Sequence, residues 1–205
     1  MTIHETLLLF TGIRLFWESN KEVLKRCLFI KDGPLQIRAQ YSKLVAPIRR
    51  FFQHAAAQGY EICVLGQEKT GYFKDHLDMI THNSVTDRFF IPDNDYICEK
   101  IQYRPTTGAP YGKDTNYGAK VFLLMNTRYK LVLNIPIVDE MLLFIHHPSP
   151  DSLIGFSRIL ATLPKILSSR YENALLPVEL ANSIASLSTY PSAQILSIFS
   201  DRNIH

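Results

Sequence analysis

Asp32 is the residue whose position most directly suggests chemistry. It follows the apolar run Val23–Ile30 and precedes Gly33 and Pro34, so a buried strand would end in a carboxylate and then turn. A carboxylate at the edge of a sheet is accessible to a divalent cation, and Mg²⁺ and Mn²⁺ prefer oxygen ligands. The alternative is that Asp32 only begins the turn, because Asp-Gly is common turn chemistry.

An acidic residue and a lysine follow the next apolar segment. Glu68 and Lys69 come directly after Gly66 and Gln67. Together with Asp32 they are similar to the core of restriction-type nucleases, in which a lysine orients the attacking water or the phosphate. That core has an acid, one intervening residue and then lysine, and here Gln67 occupies the place of the acid. The alternative is that Glu68 and Lys69 are solvated loop charges.

The segment Tyr103–Lys120 combines cations, tyrosines and three glycines. Cations that contact phosphates, together with aromatic rings that stack on bases, are typical of a channel for single-stranded nucleic acid. The alternative is an ordered hairpin loop with surface tyrosines. With the lysine that precedes Asp32 included, the candidate nucleic-acid-binding residues are Lys31, Arg104, Tyr111, Lys113, Tyr117 and Lys120.

Several other chemistries lack their sequence motif. The seven histidines include no pair at helical spacing beside a glutamate, as a zinc hydrolase would need. His146 and His147 are adjacent, so in a strand their rings would point to opposite faces. The chain has neither a Gly-rich phosphate loop ending in Gly-Lys-Ser/Thr nor a Gly-x-Ser-x-Gly elbow. The sequence therefore does not predict an ATPase or an esterase.

Composition indicates one folded domain over residues 1–205. Hydrophobic residues make up 46% and charged residues 20%, which is typical of a globular protein. The net charge of +3 permits a nucleic-acid partner without requiring one. No apolar run reaches membrane-spanning length and no secretory signal is present, so no membrane association is predicted. Three widely separated cysteines favour reduced thiols and a cytoplasmic location.

The hydrophobic pattern predicts a mixed α/β domain that begins with helices and strands in alternation, continues with a β meander and ends with helices. The predicted helices are 1–19, 44–55, a short one through 73–80, one with an N-cap at Asp151 or Ser152, 177–187 and 191–199. The predicted strands are 23–30, 60–65, 96–103, 117–125 and 129–135, the last two joined by a turn at 126–128.

Four segments together resemble the NurA nuclease family, and they keep the order of that family over almost the whole chain. They are 28–35 (LFIKDGPL), 65–73 (LGQEKTGYF), 110–120 (PYGKDTNYGAK) and 175–182 (LLPVELAN). The first and third are the more specific. The resemblance implies an RNase H-like domain, a mixed sheet flanked by helices, that cuts DNA with Mn²⁺ or Mg²⁺.

The resemblance also implies partners and site residues. Members of the family usually work as dimers beside a HerA-type hexameric ATPase, in DNA end processing for repair or in defence. Asp32 matches the strand-end aspartate that binds metal, and Glu5, on the leading helix, matches the glutamate that precedes it. Lys69 matches a basic position of the second segment. The implied catalytic set is therefore Asp32, Glu5 and Lys69, with Asp32 and Glu5 as metal ligands.

Two positions depart from the family pattern. The first metal-binding aspartate of the family lies on a strand ending in Asp-Gly-Ser, and nothing before Glu5 supplies it, so we expect the sheet to be incomplete at its amino-terminal strand. Asn182 stands where the family has histidine, and an amide cannot replace an imidazole as a base. We therefore expect the chain to be a carboxy-terminal portion of a longer protein, a split-gene product or a degenerate copy. The alternative function is non-catalytic DNA binding or ATPase docking.

Overall fold

The computed structural model describes residues 3–84, 86–137 and 148–186. Seven helices and five strands occur within these ranges. The helices are α1 (Ile3–Ser19), α2 (Lys21–Leu24), α3 (Val45–Ala57), α4 (Tyr72–Ile80), α5 (Asn94–Tyr96, continued by a wider turn over Ile97–Ile101), α6 (Phe156–Thr162) and α7 (176–186). The strands are β1 (Leu28–Asp32), β2 (Cys63–Glu68), β3 (Arg88–Phe90), β4 (Ala119–Met125) and β5 (Tyr129–Ile135).

The five strands form one mixed sheet in the order β1-β2-β5-β4-β3. β1 and β2 are parallel, with Asp32 opposite Gln67, and α3 lies in the crossover that such a pair requires. The other neighbours are antiparallel, so Asn134 near the end of β5 pairs with both Gly66 and Lys120. We call the region where β1 and β2 finish, beside the paired residues Asn134 of β5 and Lys120 of β4, the polar end.

Helices cover both faces of the sheet, because apolar strand residues alternate between the two faces and pack into clusters on each. On one face, Leu65 and Leu133 pack with α6 and with Leu175, which precedes α7. On the other face, Val64 packs with α1 and α3, through residues such as Ile13 and Phe52, and α4 packs on Phe122 and Val132. The predicted α/β class and the helix-flanked mixed sheet are therefore confirmed.

The long amphipathic elements agree with the sequence. Helix 1–19 is α1, helix 44–55 is α3, the short helix is α4, and strand 129–135 is β5. Asn126 and Thr127 have φ of 52° and 55°, which is the left-handed geometry of a tight hairpin turn. The helix predicted at 177–187 corresponds to α7 within the described residues, whereas the helix at 191–199 and His146-His147 lie outside them.

Other predicted bounds were wrong for local reasons. The strand at 96–103 is helical, because the side chain of Asp93 accepts a hydrogen bond from the backbone N–H of Tyr96 and starts α5. The strand at 23–30 begins only at Leu28, since Asn20 caps α2 in the same way. β2 starts at Cys63 and includes Gln67 and Glu68, which the sequence placed in a loop.

The remaining differences lie outside these elements. β3 was not predicted. The helix expected from Asp151 or Ser152 is a 3-10 turn capped by Ser149, and α6 begins only after Gly155. No helix in the described part of the chain is long and apolar enough to cross a membrane.

Two glycines provide a paired test of the packing. Gly155 has φ of 68°, and a Cβ there would overlap the Sγ of Cys63, so we expect Gly155→Ala to lower the free energy of unfolding by about 2 kcal/mol or more. Gly12 lies inside α1 with no atom near its missing Cβ, and Gly12→Ala should raise that free energy by about 0.5–1 kcal/mol. Urea denaturation measures both, and changes of the same sign would contradict the packing.

Candidate functional site

The carboxylate of Asp32 is the point at which three distant segments meet. The Nζ of Lys69 donates to the Oδ2 of Asp32 at 2.8 Å, and the Nδ2 of Asn182 donates to the same oxygen at 3.3 Å. The side chain of Asp32 is 43% exposed, so this junction faces solvent. The structure therefore brings together Asp32, Lys69 and Asn182, which the sequence singled out in three separate segments.

Parallel pairing places Asp32 and Lys69 side by side. Asp32 ends β1 opposite Gln67, and the backbone N–H of Gly33 donates to the carbonyl of Gln67 at 2.6 Å. Gly33 has φ of 92°, which favours glycine at this turn. Gly66 allows the turn to lie against β2, because a Cβ on Gly66 would come within 2.8 Å of the Gly33 carbonyl oxygen. Lys69 follows β2 directly and so emerges beside the carboxylate.

Gln67 is a structural residue of the site that sequence reasoning missed. It is fully buried, its Nε2 donates to the carbonyl of Asn173 at 2.8 Å, and its Oε1 accepts from the N–H of Leu175 at 3.2 Å. The Nδ2 of Asn173 donates to the carbonyl of Lys69 at 3.0 Å. These bonds attach the segment before α7 to the end of β2, which brings Asn182 to Asp32. A lone amide inside an apolar strand is the signal that could have indicated this role.

Lys31 lies inside the fold and not on a nucleic-acid-binding surface. Only 5% of the residue is exposed, and its Nζ donates to the carbonyl of Pro34 at 3.0 Å. Burial lowers the pKa of Lys31, while the charges of Glu5, Asp32 and Glu68 oppose that shift. Of these three carboxylates, Glu5 comes from α1 and acts on the ammonium of Lys31. The expected DNA contact of Lys31 is not available in this fold, because its ammonium group is enclosed.

Lys120 and Glu68 form a buried ion pair at the polar end. Their side chains are 2% and 10% exposed, and the Nδ2 of Asn134 donates to Glu68 at 2.7 Å. The Nζ of Lys120 lies 4.3 Å from the centre of the Phe73 ring. Burial lowers the pKa of Lys120, and the charge of Glu68 opposes that shift. Glu68 is thus not a solvated loop charge, and Lys120 cannot reach a phosphate because it is enclosed.

The three tyrosines of the segment 103–120 differ in exposure: Tyr103 is 82% exposed, whereas Tyr111 is partly buried. Tyr117 is 1% exposed and belongs to the core. Burial, followed by the charge of Glu68, raises the pKa of Tyr111 to about 12. Tyr117 is therefore closed to a base and Tyr111 packs partly against the core, so a channel lined by all of these rings is not formed.

Two cations of the same segment remain near solvent. Lys113 is exposed, and Arg104 is half-buried and donates to Gln102 and to the carbonyl of Ala109. Arg49 fixes the position of Lys113, because its guanidinium donates to the carbonyls of Lys113 and Asn116. Of the four cations among the six predicted nucleic-acid-binding residues, these two are the ones that solvent reaches.

The donor chemistry around Asp32 fits a hard cation only in part. Carboxylate and amide oxygens suit Mg²⁺ or Mn²⁺, and Mg²⁺ is often bound by one or two carboxylates together with substrate phosphates. Within the described residues, however, no group of three or more Asp, Glu, His or Cys side chains could hold a metal ion. Among the described residues, Asp32 therefore offers a carboxylate at this junction but no complete protein cage for a metal ion.

The two carboxylates of the polar end should differ sharply in their effect on stability. Glu68→Gln leaves the buried ammonium of Lys120 without its counter-charge, and we expect a loss of about 3–5 kcal/mol. Asp32→Asn removes an exposed pair with Lys69, and we expect a change below about 1 kcal/mol. Chemical denaturation of both variants measures the free energy of unfolding. Equal losses of that free energy would contradict the difference in burial between the two pairs.

Comparison with known proteins gives no relative for this chain: no family model, no curated protein and no solved structure matches it. The resemblance of four segments to the NurA family therefore stays a prediction.

Proposed function

We propose that this chain is a NurA-type portion of a metal-dependent DNA nuclease with its site at Asp32. The observation that carries the proposal is the junction of Asp32, Lys69 and Asn182. These residues come from three of the four segments that resemble the family, and folding unites them at one solvent-facing carboxylate. The mixed sheet flanked by helices is compatible with the RNase H-like fold that the resemblance implies.

Each residue of the junction has a separate part in this proposal. Asp32, with Glu5 from α1, would hold Mn²⁺ or Mg²⁺ against a DNA phosphate, and the bound ion supplies activation of water and neutralisation of charge on the phosphate. Lys69 holds the Asp32 carboxylate in place and provides a positive charge beside it. Asn182 donates a hydrogen bond to Asp32, but it cannot exchange a proton as the histidine of the family could.

The proposal extends to the partners that the resemblance implies. DNA is the substrate, a HerA-type hexameric ATPase is the partner that moves it, and two copies of the chain form a homodimer in the cytoplasm. DNA end processing in repair or defence is the biological role that follows. These parts rest on the resemblance alone, whereas the position of the cleavage site also rests on the contacts of Asp32.

A cleavage assay with a matched carboxylate control tests the site. Asp32→Asn should reduce Mn²⁺-dependent DNA cleavage by more than about 100-fold, because even residues that only support metal ligands typically contribute 10- to 100-fold. Asp78 is the control, since it also pairs with a lysine and is 44% exposed, but it lies on α4. Asp78→Asn should cleave like the wild type. Equal cleavage by wild type and Asp32→Asn would refute the assignment.

A second candidate function is non-catalytic DNA binding or docking on the ATPase. It is favoured by one observation: Asp32 is already neutralised by Lys69, and the described residues contain no three-ligand metal group. In this case the chain would retain the fold without a catalytic site, and its surface would bind DNA or the ATPase. Wild type and Asp32→Asn would then both bind DNA or the ATPase without cleaving DNA, and absence of binding to either partner would remove this candidate.

Lys113 gives a test of DNA binding that does not depend on cleavage. Because it is an exposed cation, Lys113→Ala should weaken binding to duplex DNA and reduce the slope of log affinity against log salt by about 0.9. Lys165 is also exposed but lies after α6, so Lys165→Ala should leave the slope unchanged. Fluorescence anisotropy across a salt series measures both slopes, and equal slopes for the two variants would exclude Lys113 as a phosphate contact.

A further inference from the structure

A cleft of about 310 Å³ adjoins the Asp32 junction on the α7 side of the sheet. Lys69 and Asn182, the two partners of Asp32, both line it, and Tyr171, Asn173 and Glu179 complete its walls. This volume is at the lower end of the range for small-ligand sites. Any nucleotide whose phosphate lies at Asp32 would therefore have this cleft beside it.

The buried side chain of Ser168 fixes the turn that carries Tyr171. Ser168 is fully buried, and its Oγ accepts from the backbone N–H groups of Arg170 and Tyr171 at 3.1 and 2.9 Å. The same hydroxyl donates to the Oε2 of Glu179 at 2.6 Å. The backbone of Tyr171 is thus fixed beside the cleft, the residue is 43% exposed, and the guanidinium of Arg170 lies 5.1 Å from the centre of its ring.

Two amide oxygens give the cleft a preference for hydrogen-bond donors. The Nδ2 of Asn173 donates to the Lys69 carbonyl and that of Asn182 donates to Asp32. These acceptors fix the amide orientations, since a flip would set oxygen against oxygen. In the part of the chain that the structure describes, no hydrogen bond reaches either side-chain oxygen. Both oxygens can therefore accept from the amino group of a base.

The charges of the site separate a phosphate from a base. Lys69 neutralises Asp32 at one side of the cleft, so a phosphate placed there meets no net negative charge. Glu179 lines the cleft itself, and its negative charge disfavours a phosphate there. An aromatic ring and amide oxygens suit the uncharged nucleoside part of the same nucleotide.

We propose that this cleft receives one unpaired nucleotide of a DNA end, with its base stacked on Tyr171 and its phosphate at Asp32. The inference rests on the proposed function and deepens it, because it names the substrate as an end that can place a single unstacked base in the cleft. A base pair within a duplex cannot enter such a cleft without opening. Tyr171 is then a residue that determines specificity for unpaired ends.

Fluorescence of 2-aminopurine tests the cleft without requiring cleavage. The full chain is titrated with a single-stranded oligonucleotide whose terminal nucleotide is 2-aminopurine, in Ca²⁺ buffer to limit cleavage. Stacking on Tyr171 should quench the fluorescence of wild type complexes. Tyr171→Ala should remove the quenching and weaken binding roughly tenfold, whereas Tyr171→Phe, which keeps the ring, should retain both.

A control and a second substrate make the outcomes decisive. Tyr41, exposed on the 3-10 turn before α3 on the opposite face of the sheet, serves as the control, and Tyr41→Ala should behave like wild type. A blunt duplex with 2-aminopurine inside should show no quenching. The proposal is overturned if wild type gives no quenching, or if Tyr171→Ala quenches as wild type does. Failure of cleavage in the Asp32 assay, with quenching intact, would instead remove the nuclease function alone.

Discussion

The buried amide of Gln67 is the interaction on which the site depends, because it joins two parts of the chain that the sheet alone would leave separate. Parallel pairing of β1 and β2 explains why Asp32 and Lys69 are neighbours, but it says nothing of α7. Gln67 bonds to the backbone of Asn173 and Leu175 from inside the core. A buried polar group left without partners costs free energy, so these bonds favour one position of the segment that precedes α7. In that position Asn182 lies beside Asp32.

Burial separates the charges of the polar end into two kinds. Glu68 and Lys120 neutralise each other inside the fold with the help of Asn134, and such a pair is better suited to fixing the packing than to binding substrate. Asp32 and Lys69 form a pair that solvent can reach, so a phosphate or a cation can compete for either partner. The same residue types therefore have different roles according to exposure.

Sequence patterns predicted the longer elements, in which apolar residues recur at regular spacing. They missed features that depend on contacts between elements. α1, α3 and the β4-β5 hairpin follow from apolar periodicity and turn residues. The 96–103 segment is rich in strand-forming residues, yet a single cap at Asp93 makes it helical. Lys120 and Tyr117 are residue types common at surfaces, but Lys120 lies in β4, which is covered on both faces, and Tyr117 packs in the core just before it. The sequence predicted Asp32 as a site residue because the end of a strand can be recognised from sequence. The cleft beside it could not be predicted, because it depends on the turn that Ser168 fixes.

The sequence separation of the contacts at Asp32 has a consequence for the order of folding. Asp32 and Lys69 are 37 residues apart, whereas Asp32 and Asn182 are 150 apart. Closing a chain segment four times as long costs about 1.2 kcal/mol more in loop entropy, and contacts of long separation slow folding. The hairpin of β4 and β5 and the β1-α3-β2 unit can therefore form before the carboxy-terminal segment docks. A chain emerging from the ribosome would complete its sheet first and acquire the full surroundings of Asp32 only once synthesis has passed α7.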